Sequence, residues 1–379
     1  MRTLELKRLG EIMKPEPGLP EEIEGVLNPA AVRGPDGHLY LFPRLVSRGN
    51  YSRIGIARVK FDAKHNPVGV ERLGIALEPE AEYEICGHSC GGCEDPRVSF
   101  VATLGHYVMT YTALTSAGPR IALAVSEDIF HWRRLGLVTF EPYGDIAFDG
   151  IDNKDASVFP IAIPDPNNRL SLAIIHRPLF PGTLPEEKAA ASPANAVDVH
   201  RESIWISYRD MSIEGGSNPH LCHFTSHHRL ASPVAPWEIL KIGGGPPPIL
   251  TPNGWLLLYH GVSNDADATG NIVKLRYSAG MMVLSKATPS AILYRSPVPL
   301  LTPELPDERV GVTGNVVFPT GIDQRNDIAF PNRFDVYYGM GDDQIGVAQL
   351  DLPNVIPQME IASLKDRALA NASNLRDLP

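Results

Sequence analysis

Apolar and polar residues alternate along most of this chain in short runs separated by turn residues, a pattern that predicts β-strands rather than helices. Five apolar runs each follow a polar turn, at residues 36–44, 104–111, 168–177, 253–260 and 332–339. Each has a candidate strand before it, beginning at Asn28, Asp95, Lys154, Pro246 and Gly314, and an alternating strand after it. The chain therefore contains five units of about 60–85 residues, each predicted to form a small antiparallel sheet.

Radial repetition of small antiparallel sheets makes a β-propeller, so we predict an all-β fold with a five-bladed propeller at residues 25–352. A β-sandwich whose hairpins resemble one another by chance is the alternative. Residues 1–24 form a charged, proline-broken N-terminal segment, and residues 353–379 form a tail with an amphipathic helical stretch at about 359–371. A stretch rich in Pro, Ala and Glu at 180–198 predicts a loop inserted in the third unit. The insertion and the tail are candidate contacts for a homo-oligomer.

Composition limits the kinds of molecule that this chain is expected to bind. The net charge of −10 argues against a nucleic acid or an anionic membrane as partner, and an anionic substrate would need a local basic pocket. No apolar run reaches the roughly 18 residues of a membrane span. The first residues lack the apolar core of a signal peptide, so we expect a cytoplasmic protein. The 35 prolines and 33 glycines suit many short strands joined by tight turns.

Three of the four cysteines are clustered, at Cys86, Cys90 and Cys93. Their spacing matches that with which radical enzymes using S-adenosylmethionine hold an iron–sulfur cluster, and with His88 or Cys222 it would also suit zinc. The radical enzymes alternate strands and helices, whereas this chain does not. We therefore expect free thiols in a loop, with no disulfide in the cytosol, no metal and no cofactor.

The candidate chemistry centres on Gly91-Gly92-Cys93-Glu94-Asp95-Pro96-Arg97. Pro96 is expected to push Asp95 toward an extended conformation, and a carboxylate held rigidly beside an arginine suits acid–base work on a polar substrate. Taken alone, the segment would equally be a turn with a surface Asp–Arg pair. In a propeller, however, the starts of all five first strands would line one funnel.

The funnel would bring together carboxylates, amides and aromatic residues that suit a sugar, and cations that suit phosphate. The cations Lys154, Arg177 and His260 come from the third and fourth units, which would be adjacent in space. Individually, each has an ordinary structural explanation: Arg177 would pair with Asp155, and His260 would be a core histidine. Their joint occurrence in an acidic chain favours an anion site.

At these residues the chain resembles glycoside hydrolase family 130, the β-mannoside phosphorylases and β-mannosidases with a five-bladed propeller. The resemblance runs from about Asn28 to Asp342. The motifs that carry it are Gly92-x-Glu94-Asp95-Pro96-Arg97, Asn153-Lys154-Asp155-Ala156, His176-Arg177-Pro178, Gly243-x-Gly245-x-Pro247-Pro248, Tyr259-His260-Gly261-Val262, Asn315-Val316-Val317-Phe318-Pro319 and Tyr337-Tyr338-Gly339-x-x-Asp342. Each motif alone is weak, but the ordered set is specific.

The resemblance implies an inverting reaction of inorganic phosphate with a β-mannosyl oligosaccharide, giving α-mannose 1-phosphate. Asp95 matches the general acid, which acts through a sugar hydroxyl. Arg177 and His260 match phosphate-binding positions, with Lys154 and Tyr259 as expected neighbours. The residues expected to hold the mannosyl ring and the adjoining sugar are Asn28, Arg44, Arg53, Glu94 and Asp342.

Two other functions stay open. The resembled family also contains hydrolases, in which phosphate-binding positions give way to carboxylates that serve water. A hydrolase would need a base carboxylate about 6.5–9.5 Å from the acid, whereas phosphate is already a nucleophile and needs only positioning. Retention of Arg177 and His260 favours phosphorolysis. The third reading is a sugar-binding protein without catalysis, in which Asp95 only bonds a hydroxyl.

Overall fold

A computed structural model describes residues 4–85, 91–142, 147–180, 201–211, 221–266, 272–330 and 332–356. Within these residues the fold is mostly β-strand with very little helix, as the alternating pattern predicted. No helix in this part of the chain combines the length and apolarity that a membrane span requires. The predicted helical tail stretch and the predicted insertion, apart from Phe180, lie outside the described residues.

The strands follow the repeat expected from the sequence. The N-terminal strand β1 spans Leu6–Met13. The first sheet contains β2 (Gly25–Arg33), β3 (Leu39–Ser47), β4 (Tyr51–Phe61) and β5 (Pro67–Leu77). The second contains β6 (Gly91–Val101), β7 (His106–Thr115), β8 (Gly118–Ser126) and β9 (Arg133–Leu137). Each sheet is an antiparallel meander, and a short parallel pairing of β4 with β6 connects the two.

Three further sheets follow along the chain. Short β10 (Thr139–Phe140) precedes β11 (Asp152–Val158), β12 (Ile163–Pro164), β13 (Leu170–Leu179), β14 (Ile204–Asp210), β15 (His223–Phe224) and β16 (Ser226–Ala231). The fourth sheet contains β17 (Lys241–Gly244), β18 (Ile249–Thr251), β19 (Gly254–Ala266), β20 (Ile272–Leu284) and β21 (Ile292–Arg295). The fifth contains β22 (Val317–Gln324), β23 (Arg333–Met340) and β24 (Gln344–Asp351). Among the described residues, helical structure is limited to single turns at Pro20–Glu22, Glu82–Glu84, Pro236–Glu238 and Pro306–Arg309.

The N-terminal segment contributes a strand to the last sheet. Strand β1 pairs antiparallel with β24, with Arg8 opposite Ala348, and it completes the order β1-β24-β23-β22. The two ends of the described chain are therefore joined in one sheet. The proline-broken N-terminal sequence did not predict a strand. Strand β1 forms because it pairs with β24, and its own sequence shows no clear alternation.

The hydrophobic core consists of clusters between successive sheets, and these clusters form a closed cycle. Residues of the first and second sheets share one cluster, and further clusters join the second to the third, the third to the fourth and the fourth to the fifth. A fifth cluster joins the last sheet back to the first, with Tyr337 and Val347 packed against Val26 and Leu41. The first strands of successive sheets also lie side by side, since β2 contacts both β6 and β22, and β11 contacts both β6 and β17.

This packing explains why the second strand of each unit reads as an apolar run. Alternate residues of a strand point to opposite faces, so a strand between two cores must be apolar at every position. In β13, Leu172 and Ile174 join the cluster shared with the second sheet. Their neighbours Ala173 and Ile175 join the cluster shared with the fourth sheet.

Each of the four helical turns ends near a buried glutamate that binds an arginine on the outer strand of a sheet. The pairs are Glu22–Arg72, Glu84–Arg134, Glu238–Arg295 and Glu308–Arg8. Three of these glutamates also accept a tyrosine hydroxyl, from Tyr111, Tyr259 and Tyr338 respectively. The same carboxylates accept backbone N–H groups of the preceding turn, as Glu84 does from Glu80 and Ala81. The repeated cluster fixes the connection that leads into a first strand.

We expect Glu84→Gln to destabilise the fold without changing the site chemistry directly. The change keeps the shape of the side chain but removes the buried charged partner of Arg134 and leaves it only the exposed Glu80, and breaking a buried ion pair costs about 3–5 kcal/mol. Denaturant unfolding would measure this loss. Glu71→Gln is the matched control, because Glu71 pairs with Arg58 at an exposed position where solvent screens the interaction. Equal stabilities of the two variants would contradict the proposed role of the buried cluster.

Candidate active site

One backbone feature recurs at the start of four of the five units. Asn28, Asp95, Asp155 and Asn315 have positive φ angles of 45°, 46°, 55° and 61°. In the first three, the register between the first and second strands shifts at this residue, as it does in a β-bulge. Asn and Asp tolerate this left-handed region better than most residues. Since the first strands neighbour one another, the bulges bring polar side chains of several sheets to one region.

The conformation of Asp95 corrects the expectation drawn from Pro96. The sequence predicted an extended residue, but the φ of 46° lies in the left-handed region. Arg97 stabilises this bulge, because its Nη1 donates to the carbonyl oxygen of Asp95 at 2.7 Å while its Nε donates to the carbonyl oxygen of Gly245 at 2.9 Å. Arg97 is buried and links strand β6, which carries Asp95, to the fourth sheet.

The Asp95 carboxylate is held by residues of the first sheet. Asn28 Nδ2 donates to Asp95 Oδ1 at 2.9 Å, and Arg44 Nη1 lies 3.5 Å from the same oxygen. Arg44 Nη2 donates to Glu94 Oε1 at 2.6 Å, which ties the two neighbouring carboxylates to one guanidinium. Burial raises the pKa of Glu94, Arg44 opposes this shift, and the charge of Asp95 adds to it.

Of the two remaining residues predicted to bind sugar, the structure places Asp342 beside Asp95 but Arg53 elsewhere. Asp342 belongs to the Asp95 group: burial raises its pKa, the side chain of Thr313 bonds it and opposes that shift, and the charge of Asp95 adds to it. Arg53 lies outside this group, since its Nε pairs with Glu78 at 2.8 Å. The structure therefore brings Asn28, Arg44, Glu94, Asp95 and Asp342 together and leaves Arg53 bound to a different carboxylate.

A second group of side chains lies on the third and fourth sheets. Arg177 Nε donates to Asp155 Oδ2 at 2.5 Å, and His260 Nε2 is 3.7 Å from the same oxygen. Burial would raise the pKa of Asp155, but Arg177 and His260 outweigh it and hold the pKa below its usual range. Arg177 and His260 are buried, whereas the Lys154 side chain reaches solvent although protein atoms surround much of it. Arg177, Lys154 and Lys241 on β17 form the cation cluster, and His260 lies beside it.

Lys154 connects the cation cluster with the Asp95 group. The nearby charge of Arg177, followed by burial and by Lys241, lowers the pKa of Lys154. Asp155 and Asp95 act on the same ammonium in the opposite direction. Because charges separated by more than about 10 Å are largely screened, the acid and the cations lie near enough to one another to act on one ligand.

His260 is a buried side chain with unused hydrogen-bonding capacity. Its ring packs against Phe318 and Tyr277, with centroids 4.5 Å and 6.0 Å away. Neither ring nitrogen has a hydrogen-bond partner among the described residues. Burial lowers the pKa of His260 to about 3, so the ring is neutral at neutral pH and is an N–H donor rather than a cation. Buried polar groups are normally bonded, so this ring is suited to bind a ligand.

Tyr259 faces away from His260, because successive residues of a strand point to opposite faces. Its hydroxyl donates to Glu238 Oε2 at 2.8 Å and accepts from Arg295 Nε at 3.2 Å. The structure thus places Tyr259 in one of the repeated glutamate clusters, where it fixes the strand that carries His260.

Two charged residues of the site were missed by sequence reasoning. Lys241 lowers the pKa of both His260 and Lys154, and its only signal was its place two residues before the Gly243-x-Gly245 motif. Glu202 forms an ion pair with Arg177. Glu202 lies four residues after the segment predicted as an insertion, where no motif marked it.

The cysteine hypotheses concern residues that the structure describes only in part. Cys86, Cys90 and His88 lie outside the described residues. Cys93 and Cys222 are buried free thiols in different hydrophobic clusters, and burial raises the pKa of both. Among the residues that the structure covers, no group of three His, Cys, Asp or Glu side chains is arranged to hold a metal ion.

Comparison with known proteins agrees with the motifs. A glycoside hydrolase family 130 model, described as beta-1,4-mannooligosaccharide phosphorylase, matches residues 6–361. A 1,2-beta-oligomannan phosphorylase from Thermoanaerobacter sp. is 29% identical over 361 residues, which cover 93% of this chain and 99% of that protein.

Solved structures share the fold. The Listeria innocua beta-1,2-mannobiose phosphorylase, in complex with beta-1,2-mannobiose, matches with a TM-score of 0.65 and 21% identity over 97% of this chain and 100% of that one. A structure from work on family hydrolases that target beta-1,2 mannosidic linkages in Candida mannan has the same TM-score and identity over 92% and 94% of the two chains. The match to the family model over most of the chain shows that this protein belongs to glycoside hydrolase family 130, the β-mannoside phosphorylase family.

Proposed function

We propose that this protein cleaves a β-mannoside with inorganic phosphate and releases α-mannose 1-phosphate. The observation that carries the proposal is the cation cluster of Arg177, Lys154 and Lys241 beside Asp95. In a chain of net charge −10, three cations gathered at one place favour binding of an anion, although Asp155 and Glu202 already pair with Arg177. The buried, unpaired ring of His260 supplies a neutral donor at the same place.

In this reaction, the bond between the anomeric carbon and the glycosidic oxygen breaks while a phosphate oxygen bonds to the anomeric carbon from the opposite face. Asp95 supplies the proton for the leaving oxygen. The family resemblance implies that this proton passes through a sugar hydroxyl. Asn28 and Arg44 hold the Asp95 carboxylate in place. The cation cluster fixes phosphate for attack, so the nucleophile needs orientation rather than a base.

We further propose that the five sheets are the blades of a propeller. The closed cycle of hydrophobic clusters supports this, because the fifth sheet packs back onto the first. The left-handed residues at the starts of the first strands would then surround the axis and form the central site. We assign Tyr259 and Arg53 structural roles and not substrate contacts, since their side chains bond Glu238 and Glu78 respectively.

Hydrolysis is the second candidate, and Glu202 is the observation that favours it. Its carboxylate pairs with Arg177 and would be available as a base that activates water. Water would then replace phosphate as the nucleophile. The structural relative connected with mannan-targeting hydrolases shows that the same fold accompanies that chemistry in the family.

Product analysis separates the two functions. The protein would be incubated with a panel of β-mannosyl disaccharides of different linkage, with and without inorganic phosphate, and mannose 1-phosphate and free mannose would be measured. We expect mannose 1-phosphate that forms only with phosphate. Free mannose at the same rate without phosphate would contradict phosphorolysis and support Glu202 as a base.

The glycine at position 339 gives a test of how Asp95 is held. A Cβ at Gly339 would overlap Asn28 Oδ1, although the backbone there has no positive φ. We expect Gly339→Ala to move Asn28 off Asp95 and to lower kcat by up to about 100-fold, because small misplacements of a reacting group have effects of this size. Steady-state kinetics would measure the change.

Gly69→Ala is the matched control, since a Cβ at Gly69 would meet nothing within 4 Å. An unchanged kcat in Gly339→Ala, with Gly69→Ala also unchanged, would mean that the Asn28 contact does not position the acid.

A further inference from the structure

The carboxylate of Glu202 lies beside the cation cluster and has no part in the proposed reaction. Glu202 pairs with Nη1 of Arg177, while the Nε of that guanidinium donates to Asp155. The backbone places Glu202 there, because its carbonyl oxygen accepts the N–H of Ile242 on β17 at 3.2 Å. Its side chain keeps 16% of its surface exposed, whereas that of Asp155 keeps 2%. Glu202 is therefore a fixed carboxylate on the more accessible side of Arg177.

The two carboxylates differ in what they can still accept. Asp155 Oδ2 receives Arg177 Nε at 2.5 Å and lies near His260, so that oxygen is committed to internal partners. Within the described part of the chain, the Glu202 carboxylate pairs with Arg177. An ionised carboxylate has about four lone-pair positions. Glu202 thus retains acceptor capacity directed at whatever Arg177 binds.

A carboxylate inside an anion site has a definite chemical consequence. Inorganic phosphate carries at least one proton at neutral pH, so one of its oxygens can donate a hydrogen bond to the carboxylate. Sulfate has the same tetrahedral shape but no proton, so its oxygens meet the carboxylate with charge repulsion alone. Hydrogen bonds of the O–H···O⁻ type are about twice as strong as neutral ones, so the presence of the proton is a strong basis for discrimination.

We propose that Glu202 is a specificity-determining residue, which accepts the proton-bearing oxygen of hydrogen phosphate and excludes anions that lack a proton. This inference rests on the proposed function of the same site. It also assigns Glu202 a role in phosphorolysis, in place of the base that hydrolysis would require.

The test compares three tetrahedral anions with the full-length protein: phosphate, arsenate and sulfate. Arsenate retains a proton at neutral pH as phosphate does, so it separates the effect of the proton from that of chemical identity. Affinities would be measured by isothermal titration calorimetry for the unmodified protein, for Glu202→Gln and for the control Glu71→Gln. Melting temperatures would verify that each variant is folded.

We expect the unmodified protein and Glu71→Gln to prefer phosphate and arsenate over sulfate. In Glu202→Gln the preference should shrink by about 10- to 100-fold, the equivalent of one hydrogen bond to a charged group. Most of the change should come from tighter sulfate binding, because the repelling charge is gone. In the reaction with β-mannoside and phosphate, sulfate should become a stronger competitive inhibitor of the variant.

A simpler role for Glu202 gives a different result. If Glu202 only neutralises Arg177, Glu202→Gln should bind all three anions more tightly by the same factor, and an unchanged preference would overturn the proposal. The proposed function fails separately, if the unmodified protein binds none of the anions and phosphate does not support turnover. Turnover with phosphate together with an unchanged preference would overturn the role of Glu202 alone.

Discussion

Asp95→Asn should lower turnover of the β-mannoside by about 100- to 10,000-fold while leaving sugar binding intact. The amide keeps the size of the carboxyl and can still meet Asn28 and Arg44, which lie 2.9 Å and 3.5 Å from Asp95 Oδ1. It cannot give the proton that the leaving oxygen needs. Loss of a general acid costs about 10²- to 10⁴-fold, so we expect kcat to fall by that factor with little change in the dissociation constant for substrate.

Measuring turnover and binding separately makes this prediction decisive. Steady-state kinetics gives kcat, and calorimetry with a β-mannosyl disaccharide gives the affinity without turnover. Asp62→Asn is a suitable control, because Asp62 is a turn residue that accepts backbone N–H groups from Lys64 and Asn66. Retention of full activity in Asp95→Asn would contradict the role of Asp95 as acid. An unmodified protein that binds the disaccharide but never turns it over would support the sugar-binding reading.

Arg177→Ala should raise the KM for phosphate by about 100-fold or more. A hydrogen bond to a charged group contributes about 1.5–3 kcal/mol, which corresponds to roughly 10- to 100-fold in affinity. The change also leaves Asp155 and Glu202 without their guanidinium, so the site becomes more negative and repels phosphate further. The KM for the β-mannoside should change less, since Asn28, Arg44 and Asp342 are untouched.

Arg177→Lys is the informative control for this variant. It restores the positive charge but not the planar fork that reaches both Asp155 and Glu202, so we expect partial recovery of phosphate affinity. Phosphate dependence is measured by varying phosphate at saturating sugar, with thermal melting to confirm folding. An unchanged KM for phosphate in Arg177→Ala would remove the cation cluster from the nucleophile site.

Much of the fold was readable from the sequence because each unit repeats one pattern. Strands packed between two cores are apolar at every position, and the intervening turns are polar, so the second strands stood out. The N-terminal strand was not predicted, since β1 is defined by its pairing with β24 across almost the whole chain.

The candidate site was predictable to the extent that its residues lie in motifs at strand starts. Asn28, Asp95 and Arg177 fall in such motifs, and the structure places them in one connected site. The alternation of the predicted strand would have placed Tyr259 and His260 on opposite faces. Sequence spacing alone could not show that Glu238 binds the Tyr259 hydroxyl, or that burial keeps His260 neutral. Glu202 reaches Arg177 through the packing of β14 beside β17, and such a contact between sheets leaves no local signal.

A crystal structure of the protein with phosphate and a β-mannosyl disaccharide, using Asp95→Asn to prevent turnover, tests the central claim most directly. We predict phosphate on Arg177, Lys154, Lys241 and His260, across the anomeric carbon from residue 95. Phosphate absent from these side chains at saturating concentration, with a water molecule held by Glu202 opposite the scissile bond instead, would contradict phosphorolysis and identify a hydrolase.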